Sequence, residues 1–267
     1  MVWARRSASL LLAVLVLGLF TCTQVGAQEG QSYEFSETSS GALGGRLRLS
    51  LAPGWGLYRM DDVNKQYIDR FAKEAGIFED NIDGGPNGYG EIAYFVTPSV
   101  SASFGINYLR GQIEQKSWES IVVPGEGTFP MRWERSLTTS AIVPQIGAKY
   151  HIALKEDLDL FAGGGVAFCW GKISIESKSR IPAIGTSEET NEKFSAYGTG
   201  VLGSVGLSHD LSDTYSIGTE IGYRHFVTAD LESEGGSPWL VEYGGTSHKI
   251  NLDFSGLFML VSLSIRL

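Results

Sequence analysis

The sequence predicts an all-β fold: an eight-stranded, antiparallel, up-and-down barrel that crosses a membrane, with one short helix in its first long loop. Three observations predict it. The last thirteen residues, Ser255 to Leu267, alternate with a period of two. Leu257, Met259, Val261, Leu263, Ile265 and Leu267 share one face, against Gly256, Phe258, Leu260, Ser262, Ser264 and Arg266 on the other. That run exceeds the roughly 5 to 6 residues of a globular strand and matches the ~9 to 11 needed to cross a bilayer at a tilt. The connections between such strands alternate short and long, as in membrane barrels with an even strand count. Glycine is abundant, at 34 of 267 residues; inside strands it implies tight side-chain space rather than flexible linkers.

The chain opens on a leader. Arg5 and Arg6 precede an apolar run from Leu10 to Phe20, and Val25, Gly26 and Ala27 give a cleavage site before Gln28, so residues 1–27 read as a signal peptide. The run falls short of the ~18 apolar residues of a membrane helix, and no later stretch reaches that length. Cys22 offers a competing lipoprotein reading, but Phe20 and Thr21 before it fit a lipobox poorly. With Cys22 in the leader only Cys169 remains, which excludes an intrachain disulfide and a cysteine-based zinc site. The net charge is -9. The leader carries two arginines and no acid, so the exported part is more acidic still, which disfavours nucleic acid as a partner.

Residues 28–43 are polar, rich in Ser, Glu and Gly, and read as a flexible amino-terminal tail; residues 44–267 form the barrel domain. Alternation begins with Leu47, Leu49 and Leu51 opposite Arg46, Arg48 and Ser50, and continues past Pro53 and Gly54 towards Tyr58. A helix follows. Asp61 or Asp62 caps it, Val63, Tyr67, Phe71 and Ala75 repeat at i+4 with Ile68 and Ala72 alongside, and Gly76 ends it. Asp80, Asp83, Gly84, Gly85 and Pro86 read as loop.

Three strand pairs come next. Ile92, Tyr94 and Val96 turn at Pro98 into Val100, Ala102, Phe104, Ile106 and Tyr108. Ile142, Ile146, Ala148, Tyr150 and Ile152 turn at Glu156 into Leu158, Leu160, Ala162, Val166, Phe168 and Trp170. Val201, Val205 and Leu207 turn between Asp210 and Thr214 into Tyr215, Ile217, Thr219, Ile221 and Tyr223. With the first and last strands that makes eight. The long connections run about Met60 to Asn87, Lys116 to Ser136, Ser177 to Lys193 and Thr228 to Ser247.

A soluble, lipocalin-like barrel is the rival, and there the apolar face points inward. The opposite face here is mostly Gly, Ala and Ser with a few charges, a poor soluble exterior. With the apolar face towards lipid, parity turns Arg46, Arg48, Glu91, Lys149, Asp159, Glu220, Arg224 and Arg266 inward. Side chains nearly fill an eight-stranded lumen, so these charges must pair. They form either a salt-bridge lattice that closes the barrel or the lining of a gated pore.

The terminal strand Ser255 to Leu267, the short turns around Pro98, Glu156 and Ser212, and Gly222-Tyr223-Arg224 resemble the small outer-membrane barrels of the OmpA, OmpX and OmpW kind, over Gly44 to Leu267. The resemblance is architectural. It implies an integral outer-membrane protein without catalytic residues or cofactor, acting through surface loops in envelope structure, adhesion or host contact. It also implies outer-membrane lipid as the surroundings and recognition of the last strand by the assembly machinery. Such proteins often end in an aromatic residue, whereas this one ends in Leu267. The alternative is an OmpW-like passive channel for small solutes, hydrophobic ones included.

Tyr223-Arg224-His225-Phe226 is also similar to the strand that carries the catalytic histidine of outer-membrane lipid A deacylases, a remote enzymatic alternative. That chemistry needs a serine beside the imidazole. The family's position for it holds Val227, and Thr228 points to the other face. Glu79, Asn81, Asp83 and Gly84 begin a calcium-loop spacing, but its twelfth position is Gly90 where a bidentate Glu is wanted, so no metal is expected. The apolar stripe of the helix (Val63, Tyr67, Ile68, Phe71, Ala75) must be buried at the barrel mouth, the lipid interface or a partner. Trp118, Trp133 and Trp239 in the other long loops pack with it or form a surface patch that takes a ligand.

Overall fold

Two distant stretches close the ring. In the computed structural model β1 (Leu47–Leu57) pairs antiparallel with β11 (Gly256–Arg266), from Arg48 opposite Arg266 to Gly56 opposite Phe258. From β1 the ring continues through β2 (Gly84–Thr97), β3 (Val100–Val123), β4 (Gly127–Lys155), β5 (Leu158–Ile181), β6 (Thr186–Asp210) and β7 (Tyr215–Thr228). β7 then pairs with β11, so eight antiparallel strands form one closed, up-and-down barrel without an open edge around its circumference. The structure describes residues 47–72, 77–78, 80–123, 127–182, 185–243 and 245–267. The expected signal peptide, the tail and Arg46 lie outside them.

Sidedness follows the pleat. On β11, Leu257 and Met259 are 51% and 58% exposed, whereas Phe258 and Leu260 are 5% and 2%. The same outward face carries Leu51, Ile92, Phe104, Ile146, Phe168, Val205 and Ile221, all exposed. The apolar half of the alternation therefore faces out, the reverse of a soluble barrel, and forms the belt that a transmembrane barrel turns to hydrocarbon.

One end of the barrel is closed by tight turns at Pro98-Ser99, Glu156-Asp157 and Leu211 to Thr214. At the other end the connections depart from expectation. Gly84, Gly85 and Pro86 are the start of β2 rather than loop, and the expected loops Lys116 to Ser136 and Ser177 to Lys193 are mostly strand. β3 to β6 rise as a four-stranded wall well above β1, β2, β7 and β11. In the wall, residues such as Arg132, Glu134, Lys178 and Glu189 form ion pairs on exposed surface, so the apolar period that marks the belt is missing. In the fourth connection β8 (Glu232–Ser233) joins β6, while β9 (Leu240–Tyr243) and β10 (Thr246–Lys249) make a separate hairpin.

The chain after β1 turns in over the mouth instead of out into solvent. Tyr58, Arg59 and Met60 donate backbone hydrogen bonds to the carbonyls of Asp83, Ser255 and Asp253. The helix that follows, α1 (Val63–Ala72), is wound as a π-helix after a short α-helical turn at Asp61-Asp62. The sequence predicts an α-helix reaching Ala75. The wider winding, about 4.4 residues per turn, aligns Val63, Tyr67, Ile68 and Ala72, all buried. Ala75 and the expected stop Gly76 lie outside the described residues, as does the side chain of Phe71.

Candidate functional site

Parity places the candidate residues inside the barrel, and register stacks them in three layers along its axis. Lowest, beside the short turns, Arg266 pairs with Asp210. The charges of Arg266, Asp210, Asp159 and Glu91 all act on Arg48, whose guanidinium lies 4.9 Å from the centre of the Phe95 ring. Asp159 is half-buried among them. Asp210, read from the sequence only as the edge of a turn, is thus a member of this layer. Its pairing depends on where β6 ends relative to β11, which no local pattern encodes. Ser101 and His151, both buried, meet at 3.0 Å through Oγ and Nε2.

The middle layer is an ion triad. Lys149 Nζ lies 3.0 Å from Glu91 Oε1 and 3.3 Å from Glu220 Oε2, and Tyr89 donates its hydroxyl to Glu91 Oε2 at 2.6 Å. Three strands contribute one charge each, so the triad ties β2, β4 and β7 across the lumen. Two cavities of about 30 and 20 Å³ flank it. Each holds little more than a water or two.

Arg224, at the top, does not join the network expected for it. It is 1% exposed, its Nε donates to the Phe254 carbonyl at 3.0 Å, and Nη1 and Nη2 have no hydrogen-bond partner among the described residues. The rings of Tyr58 and Phe258 flank the guanidinium at 5.2 and 5.4 Å. The reason is height. Glu220 sits two inward positions below Arg224 on β7 and is taken up by Lys149, while the level of Arg224 is filled by aromatic side chains. Gly56 makes the room, since a Cβ there would lie 2.1 Å from Nη2.

Above Arg224 the interior is apolar. Leu109, Ile113, Leu137, Val143, Ile173 and Phe226 point in from the strands and meet Met60, Val63, Ile68, Phe78, Ile82 and Phe254 from the connections. This is a hydrophobic core seated in the mouth, and α1 is its lid. Asn64, which no sequence pattern singles out, pins the lid: its amide accepts from Ile82 N at 2.9 Å and donates to Ile82 O at 3.0 Å. Trp239 packs on Tyr67 at 5.0 Å and stacks on Phe194 at 5.0 Å. Trp118 is exposed and lies by Arg132, and Trp133 lies by Arg135.

Two further sequence candidates are placed. His225 does meet a serine, but from β11's approach rather than its own strand: Ser255 Oγ lies 2.9 Å from Nδ1. Ser255 is fully buried and also accepts from Phe226 N at 3.2 Å, so no substrate carbonyl can reach its oxygen. Thr228 is engaged with Leu252 N. Glu79 lies outside the described residues, and the rest of its twelve-residue spacing is interrupted because Gly84 to Gly90 is strand; among the described residues no three His, Cys, Asp or Glu side chains converge as metal ligands.

No family model and no curated protein matches the sequence. Among solved structures the chain is similar to the outer membrane protein OprG of Pseudomonas aeruginosa, at 10% identity over 83% of this chain and 94% of that one, with a TM-score of 0.43. It is similar to a major outer membrane protein from Thermus thermophilus, at 10% identity over 83% and 99% and a TM-score of 0.41. It is also similar to the N-terminal β-barrel domain of Pseudomonas aeruginosa OprF, at 10% identity over 84% and 98% and a TM-score of 0.34.

Proposed function

We propose that the chain is an integral outer-membrane barrel, exported by its signal peptide, that is closed at rest and works through its outer face without catalysis. The observation that carries this reading is the pairing of an apolar outward belt with an apolar core in the mouth. The belt suits hydrocarbon, and the core removes the aqueous path. What remains for solvent is the tall wall of β3 to β6, α1 and the β9–β10 hairpin. These would serve envelope structure, adhesion or host contact through a surface ligand. In this reading the tight turns and the start of β1 face the periplasm, and β11 is the strand handled by the assembly machinery.

Protease treatment of intact cells tests it. Cleavage confined to residues between β1 and β2, the tip of the wall and the region from β8 to β10 is the expected result; cutting at the tight turns, or recovery of the protein as a detergent-free soluble species, would overturn it.

A passive channel for small solutes is the second reading, favoured by the polar column from Arg48 to Glu220 beneath the lid. It requires the mouth core to withdraw. Planar-bilayer recording separates the two when the Asn64 clamp on the lid is removed by Asn64→Leu, since a channel then conducts and a closed barrel stays silent.

A further inference from the structure

We propose that the cleft between α1, β9 and the outer parts of β4 to β6 binds a small cationic amphiphile: a protonated amine carried on an aromatic or aliphatic body. The inference rests on the surface-binding reading above and names the ligand class for it. The cleft encloses about 540 Å³, within the ~300 to 1,000 Å³ typical of small-molecule sites.

Its floor is apolar and fixed. Tyr67 and Trp239 are buried against each other and Trp239 is stacked on Phe194, so the aromatic base cannot fold away. Ile175 from β5 and Leu240 from β9 extend the apolar wall, and Leu240 is 45% exposed. A flat or aliphatic body gains burial on this surface, at about 25 cal/mol per Å² of apolar area covered.

The rim supplies the sign. Glu176, Glu192 and Glu242 border the cleft, against Arg135 as its one cation among the described lining residues. The field reaches the floor: burial first, then Glu192, pushes the Tyr67 hydroxyl up to about 12 against the opposing charge of Arg135. Two of these carboxylates, Glu192 and Glu242, outnumber Arg135 around a partly enclosed apolar pocket, so the cleft attracts an ammonium and repels a carboxylate. An ammonium also sits well against the faces of aromatic rings. A phosphate or carboxylate ligand would meet the wrong charge, and a neutral hydrocarbon would leave the carboxylates facing an apolar surface.

The test holds the ring constant and changes the charge. Tryptamine, indole and indole-3-acetate are titrated calorimetrically at neutral pH into the full barrel in nanodiscs, with empty nanodiscs as reference. The expected result is that tryptamine binds at least about tenfold tighter than indole, that indole-3-acetate binds more weakly than either, and that salt erodes the preference. Glu192→Gln combined with Glu242→Gln should abolish the preference for the amine; both sites are exposed, so the barrel still forms. Equal binding of all three probes, an amine preference that survives the double substitution, or no binding by any of them would overturn the proposal. Heat-shifted electrophoretic mobility reports the folded barrel separately, so a failed titration leaves the barrel reading standing.

Discussion

Arg224 reaches from β7 to the backbone of Phe254, 3.0 Å from Nε to the carbonyl oxygen, and no carboxylate among the described residues pairs with it. It contrasts with Lys149, which has two carboxylates. A buried cation without a carboxylate partner is a cost that its hydrogen bond, the two flanking rings and the nearby Tyr58 hydroxyl offset. Arg224→Met keeps most of the volume and removes the charge, whereas Arg224→Lys keeps the charge and loses the planar fit between Tyr58 and Phe258. The Met variant is expected to be at least as stable to urea in lipid vesicles as the Lys variant. The reverse order, by more than about 1 kcal/mol, would show that the charge has a partner.

Gly56 and Arg224 are a steric pair. A methyl group at Gly56 would stand 2.1 Å from Nη2 and 3.1 Å from Asn87 Nδ2, so Gly56→Ala must displace the guanidinium. We expect a loss of about 1–3 kcal/mol, and a smaller loss in an Arg224→Met background, where a flexible side chain can give way. Additive losses in the double-mutant cycle would contradict this coupling.

The triad is asymmetric around Lys149. Lys149→Met leaves Glu91 and Glu220 facing each other without a cation and should cost about 3–5 kcal/mol, the range for breaking a buried pair. Glu220→Gln leaves the closer Glu91 contact at 3.0 Å in place and should cost less. Chemical unfolding of both variants in vesicles ranks them.

The lid should feel pH through Asp62. Its carboxyl lies before α1 and is held above the usual carboxylate range by burial, with Asp61, Asp230 and Asp253 adding repulsion and a bond from the Asn251 backbone opposing them. A raised folded-state value means that the folded lid binds this proton more tightly than the unfolded chain. Stability of the lid therefore rises as pH falls through the window between the raised and the ordinary value, and gains nothing more below it. Hydrogen-exchange protection of α1 should rise across that window, and Asp62→Asn should flatten the rise.

Asn64 clamps Ile82 through two hydrogen bonds, so Asn64→Leu should loosen α1 without unfolding the barrel. Each buried Ile82 group left unpaired costs about 1–3 kcal/mol. Exchange protection falling in α1 while the amides of β1 and β11 stay protected is the expected signature. A uniform fall would place the clamp in the global core instead.

How much of this was legible before folding varies by element. β11 could be read residue by residue, because its outward face meets one uniform environment and its inward face another. The wall could not, since both faces of Arg132 to Ser140 carry polar residues and the period disappears. The apolar stripe marks helix α1 but not its winding, because a stripe at i+4 and i+5 fits either an α-helix or a π-helix until its packing is known. Among the charges, Glu91, Lys149 and Glu220 do meet, whereas Arg224 stands apart and Asp210 enters unannounced.

By itself the sequence determined which residues share a side of each barrel strand and how many strands close the ring. Both are consequences of a two-residue repeat and of turn residues a few positions apart, and both are local. Only the tertiary structure decided at what height each inward side chain sits. Height is set by the stagger between strands that can lie at opposite ends of the barrel sequence, such as Arg48 opposite Arg266. That stagger brings Lys149 level with two acids, lifts Arg224 out of their reach, and leaves the mouth to an apolar core that no strand's own alternation foretells.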